Sequence, residues 1–376
     1  MNENLDRRTL KLIATANQLI KDYAYTGLGD VYKAVRAAIL DVGEITSVKK
    51  LRQLERAIAQ AVKDNLNPQI ITMTNQLTDI SELEAAFYVK LANEAIKAGD
   101  LDLSISATAK EKIQRYVEGS VIKLNSKSGN TVVSWAEYAE MYERSVSDKI
   151  KSVIRSAWLS QNQGNLQSPS DIVKQVKTIN DNINRRNAES MVRTAVNHFG
   201  TQGRLAFADD NQNVIEREIP IVTFDSRVSD TCISISANYG QNGWPYGKSP
   251  VGYPPYHYGG CRTQIGFLLK GQTELFGTRQ SVGGRKGEEA EENFDKRQNR
   301  SDKVIKYRGK NDKAFKSQQI PANTPIAKFL RDQPRWYVEE VLGKKKADAF
   351  LSGELSLGKL TDADLKPLTV QQLGIY

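Results

Sequence analysis

The sequence predicts a mainly α chain with a small α+β core, and three observations carry that fold class. Apolar residues recur three and four apart through most of the first 210 positions, the period of helices that bury one face. After Asp210 the pattern turns to β-branched runs. A later tract, Lys270 to Lys316, holds 13 Lys or Arg and 8 Asp or Glu among few apolar residues. Such a tract cannot bury a core of its own. The expected order is an N-terminal helical bundle (1–130), long supporting helices (131–210), a compact α+β core (211–270), a charged extended arm (271–320) and a C-terminal helical module (321–376).

The elements follow in order. Leu12, Ala16, Leu19 and Tyr23 form one stripe within a helix from Asp6 to Tyr25. Gly27 and Gly29 read as a break, with Asp30 as N-cap of the next helix. Ser47 opens a longer pattern through Leu51, Leu54, Ile58 and Val62. Ser81 with Glu84 has the capping-box spacing and predicts a fresh helix that ends at Gly99. VIKLN and TVVSW flank the turn-rich SKSGN, predicting a hairpin between Val121 and Trp135. Ser134 with Glu137 is a second capping box, opening a helix to about Gln161. Ser168, Pro169 and Asp171 start another, with proline at the first helical position. A helix follows from about Asn184 to Phe207, despite Gly200 and Gly203. VIEREIPIVTF reads as one or two strands, TCISISANYG as a short helix and RTQIGFLL as a strand. Thr324 and Pro325 open the closing helical module.

Composition bounds the function. The 376 residues carry a formal charge of +9, which permits contact with nucleic acid or an acidic surface without demanding either. No run of about 18 apolar residues exists, so no transmembrane helix and no membrane partner are expected. No secretory signal is evident, and the expected setting is a reducing cytoplasm, where two cysteines stay thiols. Walker, dinucleotide-binding, HExxH and paired-carboxylate motifs are absent.

Both cysteines and one of the two histidines fall between Asp225 and Arg262. His257 and Cys261 have three residues between them, and with Cys232 and His198 they make a Cys2His2 set suited to zinc. The alternatives are two small buried cysteines with His257 bonded to the loop backbone, or a Cys232–Cys261 disulfide, which a reducing compartment disfavours. A thiol hydrolase is a further alternative, with Cys232 or Cys261 as nucleophile, His257 as base and Asp225 as orienter, but no oxyanion hole or family signature accompanies it. Asp225 and Arg227 read as a salt bridge and helix cap, and Arg262 as a fork holding the loop to the helices. In the arm, Arg285, Lys286, Lys296, Arg297, Arg300, Lys303, Lys306, Arg308 and Lys310 are candidates to neutralise phosphates without reading sequence. The acidic block Glu288 to Glu292 favours a solvated linker equally.

RTAVNHFGTQGRLAF from Arg193, FDSRVSDTC from Phe224 and PPYHYGGCR from Pro254 together resemble the phage Mu F-like minor head proteins, also called head morphogenesis proteins. FLRDQPRWYVEEVLGKKKADAFLSGELSLGKL from Phe329 and PLTVQQL from Pro367 extend the resemblance over roughly the last half of the chain. Family members often carry CRC where this chain has Thr263, and a further cysteine near Ser234 or Ser236, so no four-cysteine set exists here. The resemblance implies a low-copy virion component inside the head of a tailed phage, assembled in the host cytoplasm. Its expected partners are the portal protein, the major capsid protein and packaged DNA. It implies no established catalytic activity for this domain, and the matching positions Asp225, Arg227, Cys232, His257, Cys261 and Arg262 are expected to form an internal clamp.

Overall fold

One helix organises the molecule. In the computed structural model, which describes residues 2–126, 129–163, 165, 167–272, 278–285 and 314–375, α3 runs unbroken from Val48–Gly99, 52 residues. Ser47 caps its start by accepting from the Lys50 N–H at 3.2 Å. Its buried stripe runs Leu51, Leu54, Ile58, Val62, Leu66, Ile70, Met73, Leu77, Ile80, Glu84 and Tyr88. Pro68 lies within the helix on an exposed face, where water can serve the carbonyl left without its N–H partner.

The expected new helix at Ser81 is therefore not formed. Ser81 and Glu84 have the cap spacing, but both side chains are spent on α7 (Arg185–Asp210). The Ser81 hydroxyl donates to Phe199 O at 2.8 Å, and Glu84 pairs with Arg204. The break expected at Gly27 and Gly29 is also absent. Helix α1 (Asn2–Leu19) passes through a π-helical stretch, Ile20–Tyr25, directly into α2 (Thr26–Val42). Gly27 is there because α3 passes close by: a Cβ would meet Leu66 Cδ2 at 3.0 Å and Asn65 O at 3.3 Å.

Helix α4 (Lys110–Glu118) precedes the predicted hairpin, β1 (Ile122–Ser126) with β2 (Gly129–Val133), antiparallel in the register Ile122 to Val133. The Ser134–Glu137 capping box then opens α5 (Trp135–Asn162). Helix α6 (Pro169–Ile179) and a second π-helical stretch (Asn180–Asn184) lead into α7. Helices α1, α2, α3, α5, α6 and α7 bury one continuous apolar core with the hairpin, running from Leu12 to Phe199. This core takes residues from both sides of position 130.

Three further strands make an antiparallel sheet in the order β4 (Trp244–Pro245), β3 (Ile215–Ile221), β5 (Gln264–Leu269). VIEREIPIVTF thus gives one strand. Phe224 beyond it forms only an isolated parallel bridge to Ser281. The sheet packs on the end of α3, on α4 and on α7, through Tyr88, Leu91, Ile113, Phe207, Ile215 and Leu269.

The expected arm is folded at both ends. Strands β6 (Thr278–Gly284) and β7 (Phe315–Pro321) pair antiparallel, Thr278 opposite Pro321 and Gly284 opposite Phe315. The Val282 N–H donates to Phe224 O at 2.8 Å and fastens this ladder to the core. The C-terminal helices α9 (Ile326–Arg331), α10 (Arg335–Leu342) and α11 (Lys344–Ser352) share one apolar core with Phe224, Cys232, Tyr256 and Cys261. Residues of 211–270 from Val222 to Cys261 thus share one interior with 321–376. Among the described residues, no helix is long and apolar enough to cross a membrane.

Candidate metal centre

Helix α8 (Asp230–Tyr239) presents Cys232 in its first turn, and its N-cap is Ser229, which accepts from the Cys232 N–H at 3.2 Å. The cap expected from Asp225 is therefore made by Ser229. Asp225 instead forms a two-pronged ion pair with Arg262, one prong at 2.7 Å from Arg262 Nη2 to Asp225 Oδ1 and the other between Nη1 and Oδ2. It also accepts the Arg227 N–H at 2.9 Å. Burial raises the Asp225 carboxyl, but the Arg262 guanidinium outweighs it and holds the group below its ordinary range. The Arg227 guanidinium stands 3.9 Å away and is 67% exposed, so its backbone serves the clamp more than its charge does.

The loop from Pro254 to Cys261 turns at Gly259 (φ +82°) and Gly260 (φ +157°). Helix α7 supplies the frame. The Gly259 N–H donates to Thr194 Oγ1 at 3.1 Å, and Asn197 Nδ2 donates to Cys261 O at 2.9 Å and Thr263 O at 3.2 Å. Held this way, Cys232, His257 and Cys261 bring one donor atom each to within 4.8 Å of one another. The two sulfurs lie 3.9 Å apart, and both cysteines are free and buried. Thr263 Oγ1 donates to Cys232 Sγ at 3.1 Å, and the Tyr256 N–H donates to Cys261 Sγ at 3.4 Å. His257 is half-buried, its Nδ1 3.2 Å from Tyr258 O.

The electrostatics single out Cys261. Burial pushes its thiol up, but hydrogen bonds from Cys232 and His257 and the Tyr256 N–H overcome that and hold it well below the ordinary thiol range. Cys232 moves the opposite way, raised by its bond to the Cys261 sulfur and by burial. His257 loses proton affinity to burial and regains more from the Cys261 sulfur, ending above its ordinary value. The three donors can hold a metal ion, because the site already favours charge on one sulfur.

His198 is not part of this group. Its ring turns the other way and its Nε2 lies 2.8 Å from Ser120 Oγ, while that hydroxyl donates to Val117 O at 2.7 Å. Nε2 therefore carries the hydrogen and offers no lone pair to a metal. The expected Cys2His2 set becomes a three-ligand Cys2His group. Sequence reasoning passed over the residues on α7 that do reach the loop, Thr194 and Asn197. Their three-residue spacing on one helix face, one position from His198, was the available signal.

Of the candidate phosphate contacts, Arg285 belongs to the β6–β7 ladder. Its N–H donates to Ala314 O at 2.9 Å and its Nε to Phe315 O at 3.3 Å. Lys286, Lys296, Arg297, Arg300, Lys303, Lys306, Arg308 and Lys310 lie outside the described residues.

No family model matches this chain, and no curated protein or solved structure matches it.

Proposed function

We propose that this chain is a minor head protein of a tailed phage, a structural and assembly component without catalytic activity. It binds the portal protein and the inner face of the major capsid shell, near the portal vertex. What supports this reading is one convergence. The three stretches that carry the resemblance to head morphogenesis proteins supply Thr194, Asn197, Asp225, Cys232, His257, Cys261 and Arg262, and these residues meet in a single brace.

The brace takes zinc. Two sulfurs bound to one tetrahedral zinc at about 2.3 Å each stand about 3.8 Å apart, close to the 3.9 Å separation of Cys232 and Cys261. Held by Cys232, His257 and Cys261, zinc would supply a fixed point for this Gly- and Pro-rich loop. The protein's own contribution is the frame from Thr194 and Asn197. DNA contact by the charged tract belongs to the same proposal, as a weak and salt-dependent interaction.

Localisation by cryo-electron microscopy of intact heads, with capture of the purified chain on portal rings, tests the reading. Density for this fold beside the portal is expected. A particle lacking it, together with no retention on portal rings, overturns the proposal. A second reading, a thiol-dependent hydrolase, draws on the lowered Cys261 thiol beside His257. An active-site acylating probe that labels Cys261 in the folded protein with turnover would favour it.

A further inference from the structure

Two free thiols held face to face inside one brace also permit chemistry without a metal. From this geometry we infer that Cys232 and Cys261 form a reversible intrachain disulfide, a modification that ties α8 to the loop carried by α7.

The sulfurs are 3.9 Å apart, about 2 Å beyond bonding distance. They are the only two cysteines in the chain, so neither has a competing intramolecular partner. Each sits at a junction. Cys232 lies on α8, which the C-terminal segment grips on its other side. Lys346 Nζ donates to Asp230 Oδ2 at 2.6 Å, Thr231 Oγ1 to Leu365 O at 3.1 Å, and Ser234 Oγ to Gly358 O at 2.9 Å. Cys261 lies on the loop whose carbonyls Asn197 holds. A bond between the sulfurs therefore links α8 covalently to this loop, while hydrogen bonds still hold α8 to the C-terminal segment and the loop to α7.

The oxidant is a small-molecule disulfide, RSSR. The Cys261 thiolate attacks one of its sulfurs, forming a Cys261–SR bond and expelling RS⁻. Cys232 then gives its proton to solvent and attacks the Cys261 sulfur, expelling a second RS⁻. Both leaving thiolates take up protons, so two protein thiols are oxidised and one RSSR becomes two RSH. Where zinc is bound, the same exchange releases the ion, because a disulfide sulfur is no longer a thiolate ligand.

The inference rests on the brace reading of these residues, and its test separates the two. The full chain, loaded with zinc, is treated with oxidised glutathione under native conditions, then alkylated and weighed. Expected is the joint loss of both alkylatable thiols, a mass decrease of two hydrogens, release of zinc and full reversal by dithiothreitol. A stable glutathione adduct on one cysteine, or thiols that react only in denaturant, overturns the latch. Cys232→Ser should instead accumulate the glutathione adduct on Cys261, and absence of that adduct in the folded variant also counts against it. Loss of stability in Cys261→Ala, with no disulfide formed in the native chain, leaves the brace standing and removes the latch. Disulfide formation in a chain that binds no zinc does the reverse.

Discussion

Glu84 of α3 and Arg204 of α7 form an ion pair with neither side chain exposed, Arg204 Nε donating to Glu84 Oε2 at 2.7 Å and Nη2 lying 2.5 Å from the same oxygen. Arg8 of α1 pairs with the other carboxylate oxygen, so one buried acid ties three helices. Removing one member of a buried pair leaves a charge without its partner, which costs about 3–5 kcal/mol. Arg204→Met is expected to lose less than that in urea unfolding, because Arg8 still pairs with Glu84. The double variant Glu84→Leu with Arg204→Met should recover part of it, since a well-packed apolar pair avoids the desolvation cost.

Gly203 lies where α3 and α7 touch. A Cβ added there would meet Ser81 O at 2.0 Å, a backbone atom that cannot step aside. Gly203→Ala is expected to force the helices apart and to cost about 1–3 kcal/mol. Gly200→Ala, whose nearest neighbour would be Glu84 Cγ at 3.5 Å, should be nearly neutral. Thermal unfolding of the two variants side by side checks this.

His198 sets a pH response. Burial disfavours its imidazolium and lowers its pKa from 6.5 to about 4. The unfolded chain therefore takes up a proton in a range where the folded chain does not. Stability from this group is complete above pH 6.5, falls as pH drops toward 4, and changes no further below that. The expected loss is about 3 kcal/mol across the window. His198→Gln should remove this pH dependence, so the difference between variant and native stability should change by that amount over the same range, measured by chemical unfolding at stepped pH.

Asn197 separates the brace from its neighbour. Asn197→Leu leaves the carbonyls of Cys261 and Thr263 without their side-chain donor, a loss of about 1–3 kcal/mol for each group left unsatisfied. Zinc affinity, read by competition with a chelating dye, should fall in Asn197→Leu and stay unchanged in His198→Gln. Equal effects in the two variants would contradict the assignment of ligands.

The sequence made the element types legible and some of the joins illegible, for an identifiable reason. Ser134–Glu137 and Ser81–Glu84 present the same local pattern, yet one caps a helix and the other lies in mid-helix. The difference sits about 120 residues away, at Phe199, Gly203 and Arg204, which no local pattern reports. Gly27 misled in the same way, because its partner is Leu66 on another helix. The thiol loop was legible because its chemistry is concentrated in one segment. Its frame was not, because Thr194 and Asn197 look like ordinary helix-face residues until the loop folds back on them.

The unbroken run of α3 carries a consequence for what the chain can tolerate. At about 1.5 Å per residue it is a rod of about 78 Å, and it feeds side chains into two separate interiors. Each residue turns the helix by about 100°, so a single insertion near Asn75 would rotate Ser81, Glu84 and Tyr88 together off their contacts with α7 and β5. The rod acts as a phase standard: the contacts before and after Asn75 are both kept only while the helix between them keeps its length.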